Sequence, residues 1–189
     1  MGPVFWNITK LFQGHGFPMY LRRDVLICGS LMAAGFSSPA TASVAPGPIS
    51  KFRQARKTCL TFDDGPHATL TPRLLDVLDT HGVKATFFVV GWRAARWPRI
   101  LRLAIERGHE IGNHSWSHPD LSRKSDGQLL SEIDRCTAAI EDATGNSPIV
   151  FRPPYGALRA RQRHLISGTR SLYTVMWSND TSDWRKPGV

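Results

Sequence analysis

Thr61-Phe62-Asp63-Asp64-Gly65-Pro66 is the stretch on which the reading of the fold turns. The run that leads into the acids, Cys59-Leu60-Thr61-Phe62, is short, β-branched and aromatic, the composition of a buried strand. That strand is expected to stop where the acids begin, with Gly65-Pro66 turning the chain. Adjacent carboxylates at a strand end repel each other unless something positive neutralises them. A metal ion does this by taking one acid as ligand and leaving the other free as a base. The alternative is a pair of ordinary turn formers, and the rest of the chain decides between the two.

From Lys57 onward strands and helices alternate. A helix is expected with Thr71 as cap, Pro72 at its first position, Leu74, Leu75 and Leu78 on one face, and Gly82 as its stop. Ala85–Val90 is a continuous apolar run of the kind buried in parallel sheets. A second helix opens at Pro98 and closes at Gly108, and a short strand follows over Glu110–Asn113. Ser125 and Gln128 make a capping box for a third helix that ends at Gly145. A strand over Ile149–Phe151, a basic helix from about Leu158 to Ile166 and a strand over Leu172–Trp177 complete the pattern. Such alternation predicts an α/β protein with parallel strands and covering helices, either a barrel or an open doubly wound sheet. Functional residues then belong just past the carboxyl ends of strands. No Gly-x-Gly-x-x-Gly follows the first strand and no phosphate loop is present, so a nucleotide site has no support.

Four strand ends carry chemistry. After the first come Asp63 and Asp64. After the third comes His114-Ser115-Trp116-Ser117-His118, whose histidines, four apart, are expected to meet on one face of a helical turn. After the fourth comes Arg152-Pro153-Pro154-Tyr155-Gly156, where two prolines stiffen a turn and Arg152 can hold a carboxylate. After the fifth comes Asp180-Thr181-Ser182-Asp183-Trp184, which also reads as a polar turn with an aromatic anchor. Strand ends converge on one rim. One Asp and two His on zinc leave a position open for water, whose pKa such a metal lowers to about 7. A second carboxylate beside it can take the proton, which is the chemistry of metal-assisted hydrolysis of an acyl or phosphoryl group.

In order, these four motifs resemble those of the NodB-type polysaccharide deacetylases, and the likeness runs from Lys57 to about Gly188. The resemblance implies a distorted (β/α) barrel that removes N-acetyl or O-acetyl groups from sugars with a divalent metal. It implies Asp63 as catalytic base and Asp64, His114 and His118 as metal ligands. Arg152 would steady the base, and Tyr155 would offer its backbone N–H to the oxyanion. Asp183 would tune the catalytic acid, and Trp184 would line the pocket for the acetyl methyl. Zinc is the default metal, and cobalt and nickel suit the same ligands. The family's fifth motif, a late strand ending in a histidine that acts as general acid, has no counterpart before Val189, and His164 lies ahead of the fourth motif. The expectation is therefore a catalytic domain over residues 57–189 that is truncated, with a barrel incomplete at its C-terminus.

Residues 1–45 read as a leader. Arg22-Arg23 enters an apolar stretch that ends in Ala40-Thr41-Ala42, an export signal of twin-arginine appearance. Gly29, Gly35 and Pro39 break that stretch, so no stable membrane span is expected. Residues 46–56 read as a linker. An exported chain would work in the periplasm, wall or extracellular space, and one without a true signal in the cytoplasm. The net charge of +9 is scattered rather than clustered, which favours a solvated basic surface over a nucleic-acid footprint. Of three cysteines, Cys59 and Cys136 read as buried apolar residues, and no zinc-finger spacing occurs. The expected partner is a glycan containing N-acetylglucosamine, such as chitooligosaccharide or peptidoglycan. The alternatives are a non-catalytic glycan-binding protein lacking the acid, or an esterase acting on O-acetyl xylan.

Overall fold

The structure, a computed structural model, describes residues 4–5, 48–49 and 57–185. The leader and the linker therefore lie largely outside the described residues. Two short strands, β1 (Val4–Phe5) and β2 (Lys57–Thr58), pair in parallel. The main sheet has five parallel strands in sequence order: β3 (Leu60–Gly65), β4 (Ala85–Val89), β5 (Glu110–Asn113), β6 (Val150–Phe151) and β7 (Tyr173–Thr174). The chain is α/β, as expected. The sheet does not close among the described residues, and its far edge is extended by a single bridge from Ile49 to Val175.

The continuous apolar run of β4 is explained by burial on both faces. Ala85, Phe87 and Val89 face a core built with Leu75, Leu78, Leu101, Ile111 and Ile140. Phe88 points the other way, to Val150 and Val175. A third group, with Leu121, Leu129, Ile133, Phe151 and Ile166, fills the space beside β6. Helices α1 (Leu70–Thr80), α2 (Gly91–Arg96), α3 (Pro98–Glu106), α4 (Asp126–Thr144) and α5 (Ala160–Arg170) alternate with these strands. In α4 the expected capping box is present, with Ser125 Oγ accepting from Gln128 N–H and Gln128 Oε1 accepting from Ser125 N–H. Gly145 closes the same helix at φ 72°, a left-handed conformation that suits glycine.

Several expectations need correction. Helix α1 starts at Leu70 rather than at Pro72, because the His67 ring supplies the missing acceptor: its Nδ1 takes the N–H groups of Thr69 and Leu70, both at 3.2 Å. Helix α5 spans Ala160–Arg170, beginning and ending later than its basic run suggested. Its arginines are not a free basic face: Arg161 grips Asp126 and Arg170 grips Asp134 on α4. Helix α2 was not anticipated. Cys136 is buried, and burial pushes its thiol up to about 12, whereas Cys59 is half-buried. No helix among the described residues is long and apolar enough to cross a membrane.

Candidate active site

The acids do not follow the strand, as expected, but lie within it. Strand β3 continues through Asp63 and Asp64 to Gly65, and its register against β4 slips there. Phe62 pairs with Phe87 and Gly65 with Val89, so three steps on β3 oppose two on β4. This is a β-bulge, and Asp64 sits in it at φ 67°. In a regular strand, neighbouring side chains point to opposite faces. The bulge breaks that alternation, and both carboxylates come toward His114 Nε2: Asp63 Oδ2 at 3.9 Å and Asp64 Oδ1 at 3.5 Å.

The histidine motif is likewise not a helical turn. It is a loop in which Ser115 and His118 hold φ of 65° and 60°. Its shape comes from outside the motif. Asn113, buried at the end of β5, accepts Ser115 N–H on its Oδ1 and donates from Nδ2 to Ile133 O and Thr137 Oγ1 of α4. Glu132 accepts from both the N–H and the hydroxyl of Ser117 at 2.8 Å. Ser115 Oγ accepts His118 N–H. Held this way, His118 Nε2 lies 3.1 Å from Asp64 Oδ1.

The two acids have different partners. Asp64 Oδ1 lies within reach of both histidines, whose hydrogen bonds, His114's first, hold its carboxyl well below the usual carboxylate range. Asp63 Oδ1 instead accepts from Arg152 Nη1 at 2.7 Å. Arg152 is fixed in turn: Nη1 also donates to Thr61 Oγ1, Nε to Val175 O and Nη2 to Met176 O. Its guanidinium lies 4.1 Å from the centre of the Phe88 ring. Burial pulls Arg152 below the ordinary arginine value, and Asp63 pulls it back.

One hydrogen bond sets which nitrogen of His114 faces the acids. Nδ1–H donates to Arg152 O at 2.7 Å, which turns Nε2 toward Asp64 Oδ1 at 3.5 Å. A metal-binding imidazole has the same kind of backing bond. Ligand atoms of Asp64, His114 and His118 all lie within 4.8 Å of one another, and one carboxylate with two imidazoles is a donor set for a divalent ion with room for a further ligand. The residues fit such an ion.

Tyr155 reaches this cluster: its ring meets His118 edge-on at 4.7 Å, and its backbone turns at φ 59°. Asp183 and Trp184 do not. Asp183 accepts from Thr181 in its own loop, Trp184 is 66% exposed beside Arg185, and no hydrogen bond or ion pair joins either to the cluster among the described residues. The motif reading missed Thr61, Asn113, Glu132 and Arg93, which donates from Nη1 to Asp64 O at 2.9 Å. Thr61 stands inside the opening stretch and could have been weighed; the other three carry no local signal.

Proteins of named activity resemble this chain. A peptidoglycan-N-acetylglucosamine deacetylase of Listeria monocytogenes, PgdA, is 39% identical over 72% of this chain and 28% of its own length. A chitooligosaccharide deacetylase of Bradyrhizobium is 42% identical over 71% of this chain and 61% of its own. The chain thus spans less than two thirds of either relative. A solved family 4 carbohydrate esterase from Streptomyces lividans, in complex with acetate, superposes with a TM-score of 0.66 at 38% identity, over 69% of this chain and 67% of the esterase. The polysaccharide deacetylase family model matches residues 51–169, which hold the bulged acids, the histidine loop and the arginine turn together, and the chain belongs to that family.

Proposed function

We propose that this protein hydrolyses acetyl groups from N-acetylglucosamine units of a glycan such as chitooligosaccharide or peptidoglycan, with Asp64, His114 and His118 holding a divalent metal and Asp63 acting as base. The observation that carries this reading is the division between neighbouring carboxylates. Asp64 turns to the two imidazoles, and Asp63 turns to Arg152. The named activities of the relatives point the same way.

A bound divalent ion supplies Lewis-acid polarisation of the acetyl carbonyl and an activated water. The chain's own residues do the rest. Arg152 holds the Asp63 carboxylate in one orientation, since its other donors are committed to Thr61, Val175 and Met176. Asp63 Oδ2 is then the acceptor for the proton given up as the water attacks. His114, whose Nδ1–H is secured by Arg152 O, would present Nε2 to such an ion. Tyr155 would present its amide to the oxygen that becomes negative during attack, whereas Asp183 and Trp184, with no bond to the cluster among the described residues, are assigned no step there. Zinc is the ion this donor set favours by default, with cobalt and nickel as substitutes.

The test is acetate release from chitohexaose, from peptidoglycan and from acetylated xylan, by the zinc-supplemented chain and by the same chain after chelation. Release from an aminosugar polymer that stops on chelation is expected. Release from xylan alone would replace the amide reading with an ester one. Folded, zinc-loaded protein that releases no acetate from any of them would contradict hydrolysis.

A further inference from the structure

A second cluster of side chains sits on α2 and at its flanks, and the catalytic reading does not use it. Trp92 leaves 42% of its surface exposed. Its ring centre lies 6.3 Å from that of Trp97, which lies 6.3 Å from that of the exposed His67. The rings are tilted by 48° and 37°, a stepped run along the surface. Two guanidiniums flank it, Arg93 at 5.1 Å from the Trp92 ring and Arg96 at 5.4 Å from the Trp97 ring. Among the described residues no carboxylate forms an ion pair with either arginine.

This cluster is tied to the metal-binding motifs by three hydrogen bonds. Gly91 N–H donates to Ser115 O at 2.9 Å and Trp92 N–H to Trp116 O at 3.2 Å, inside the histidine loop. Arg93 donates to Asp64 O inside the bulge. One guanidinium therefore touches both the Trp92 ring and the backbone of Asp64. The His67 ring is fixed as well, because its Nδ1 caps α1. Leaving a large indole in water contributes little to folding. An indole face suits the flat array of C–H bonds on a pyranose ring, and a planar guanidinium pairs with a carboxylate.

We propose that Trp92, Trp97 and His67 form a platform for a sugar unit of the chain beyond the one being deacetylated, and that Arg96, with Arg93, selects polymers whose sugars carry carboxylates. The occupant is an extended, acidic aminosugar glycan. Its charge complements the unpaired arginines and the overall +9 of the protein. This inference deepens the deacetylase reading and rests on it for the polymer, but platform binding is measurable without turnover.

The experiment measures binding in the zinc-supplemented Asp63→Asn chain, where the ligand is not consumed. The probes are neutral chitohexaose and a peptide-free tetrasaccharide of alternating N-acetylglucosamine and N-acetylmuramic acid. The acidic probe is expected to bind more tightly at low salt. Trp92→Ala should weaken both probes about tenfold, with Trp92→Phe restoring most of the loss. Arg96→Gln should abolish the preference for the acidic probe and leave the neutral one unchanged. Equal affinities with and without Trp92 would overturn the platform, and a preference that survives Arg96→Gln would overturn the selectivity. Failure of the catalytic reading would show instead as absent acetate release by the parent chain, with these binding differences intact.

Discussion

Arg152 is 3% exposed and uses all three guanidinium nitrogens inside the protein. Its link to a carboxylate was one reading the sequence allowed, beside that of a surface arginine in a proline-rich loop. Its bonds to Val175 O and Met176 O were not legible there, since they cross to the segment just past β7, more than twenty residues away. Truncation to Arg152→Ala leaves those carbonyls and Asp63 without their partner. A loss of about 3 kcal/mol is expected from chemical denaturation, the lower end of what removing one member of a buried pair costs, because Asp63 is partly solvated. His109 offers a second test. Its Nδ1 accepts Ala85 N–H at 3.2 Å, while its buried Nε2 has no hydrogen-bond partner. Burial lowers its pKa below the ordinary 6.5, with Lys84 and Arg107 adding to the effect and Asp79 opposing it. The unfolded chain therefore takes up the proton first. The His109 contribution to stability is full well above pH 6.5 and falls as the pH drops through that value toward the lower folded one. Melting temperatures between pH 8 and pH 5 should decline less steeply in His109→Gln; parallel curves would refute this.

At the scale of elements, periodicity exposed whatever was local. The capping box of α4 and the buried run of β4 were readable because the signals lie within a few residues of the elements they define. Helix α2 escaped because six residues carry too little pattern, and its reason for existing is tertiary. Gly91 is buried where α2 crosses α4, and a Cβ there would stand 2.7 Å from Trp116 Cε3 and 2.8 Å from Cys136 Cα. Gly91→Ala is expected to cost about 1–3 kcal/mol by overpacking, and because α2 also bonds the histidine loop, zinc affinity should fall with stability. A variant as stable as the parent would mean the crossing is looser than this contact implies. The histidine loop itself was misread as a helical turn for a related reason. Spacing of four suits a helix, but Asn113 and Glu132 impose left-handed conformations on Ser115 and His118. Asn113, anchored to α4 through Ile133 O and Thr137 Oγ1, and Glu132 on α4 outweighed local propensity.

Across the whole molecule, the order of the strands in the sheet follows their order in the chain, so motifs dispersed over some ninety residues, from Asp63 to Tyr155, gather along one edge. A linear reading can therefore expect these motifs to lie near one another without giving their geometry. The β3 bulge supplied what the sequence could not. It turns two adjacent acids from opposite faces to a common side while giving them different partners. The charge balance is also reshaped by folding, since Arg107, Arg161 and Arg170 pair with Asp76, Asp126 and Asp134. Among the described residues the arginines of α2, Arg93 and Arg96, form no ion pair.

The account stands on the division of labour between Asp63 and Asp64, and one comparison tests it most directly. Zinc content and acetate release from chitohexaose are measured together for the parent chain and for Asp63→Asn. The variant is expected to keep its zinc and lose hydrolysis by a factor on the order of a hundred or more, as removal of a general base does. Loss of zinc in the variant would mean that Asp63 is the ligand and the two roles are reversed. Zinc retained with undiminished acetate release would mean that Asp63 is not the base.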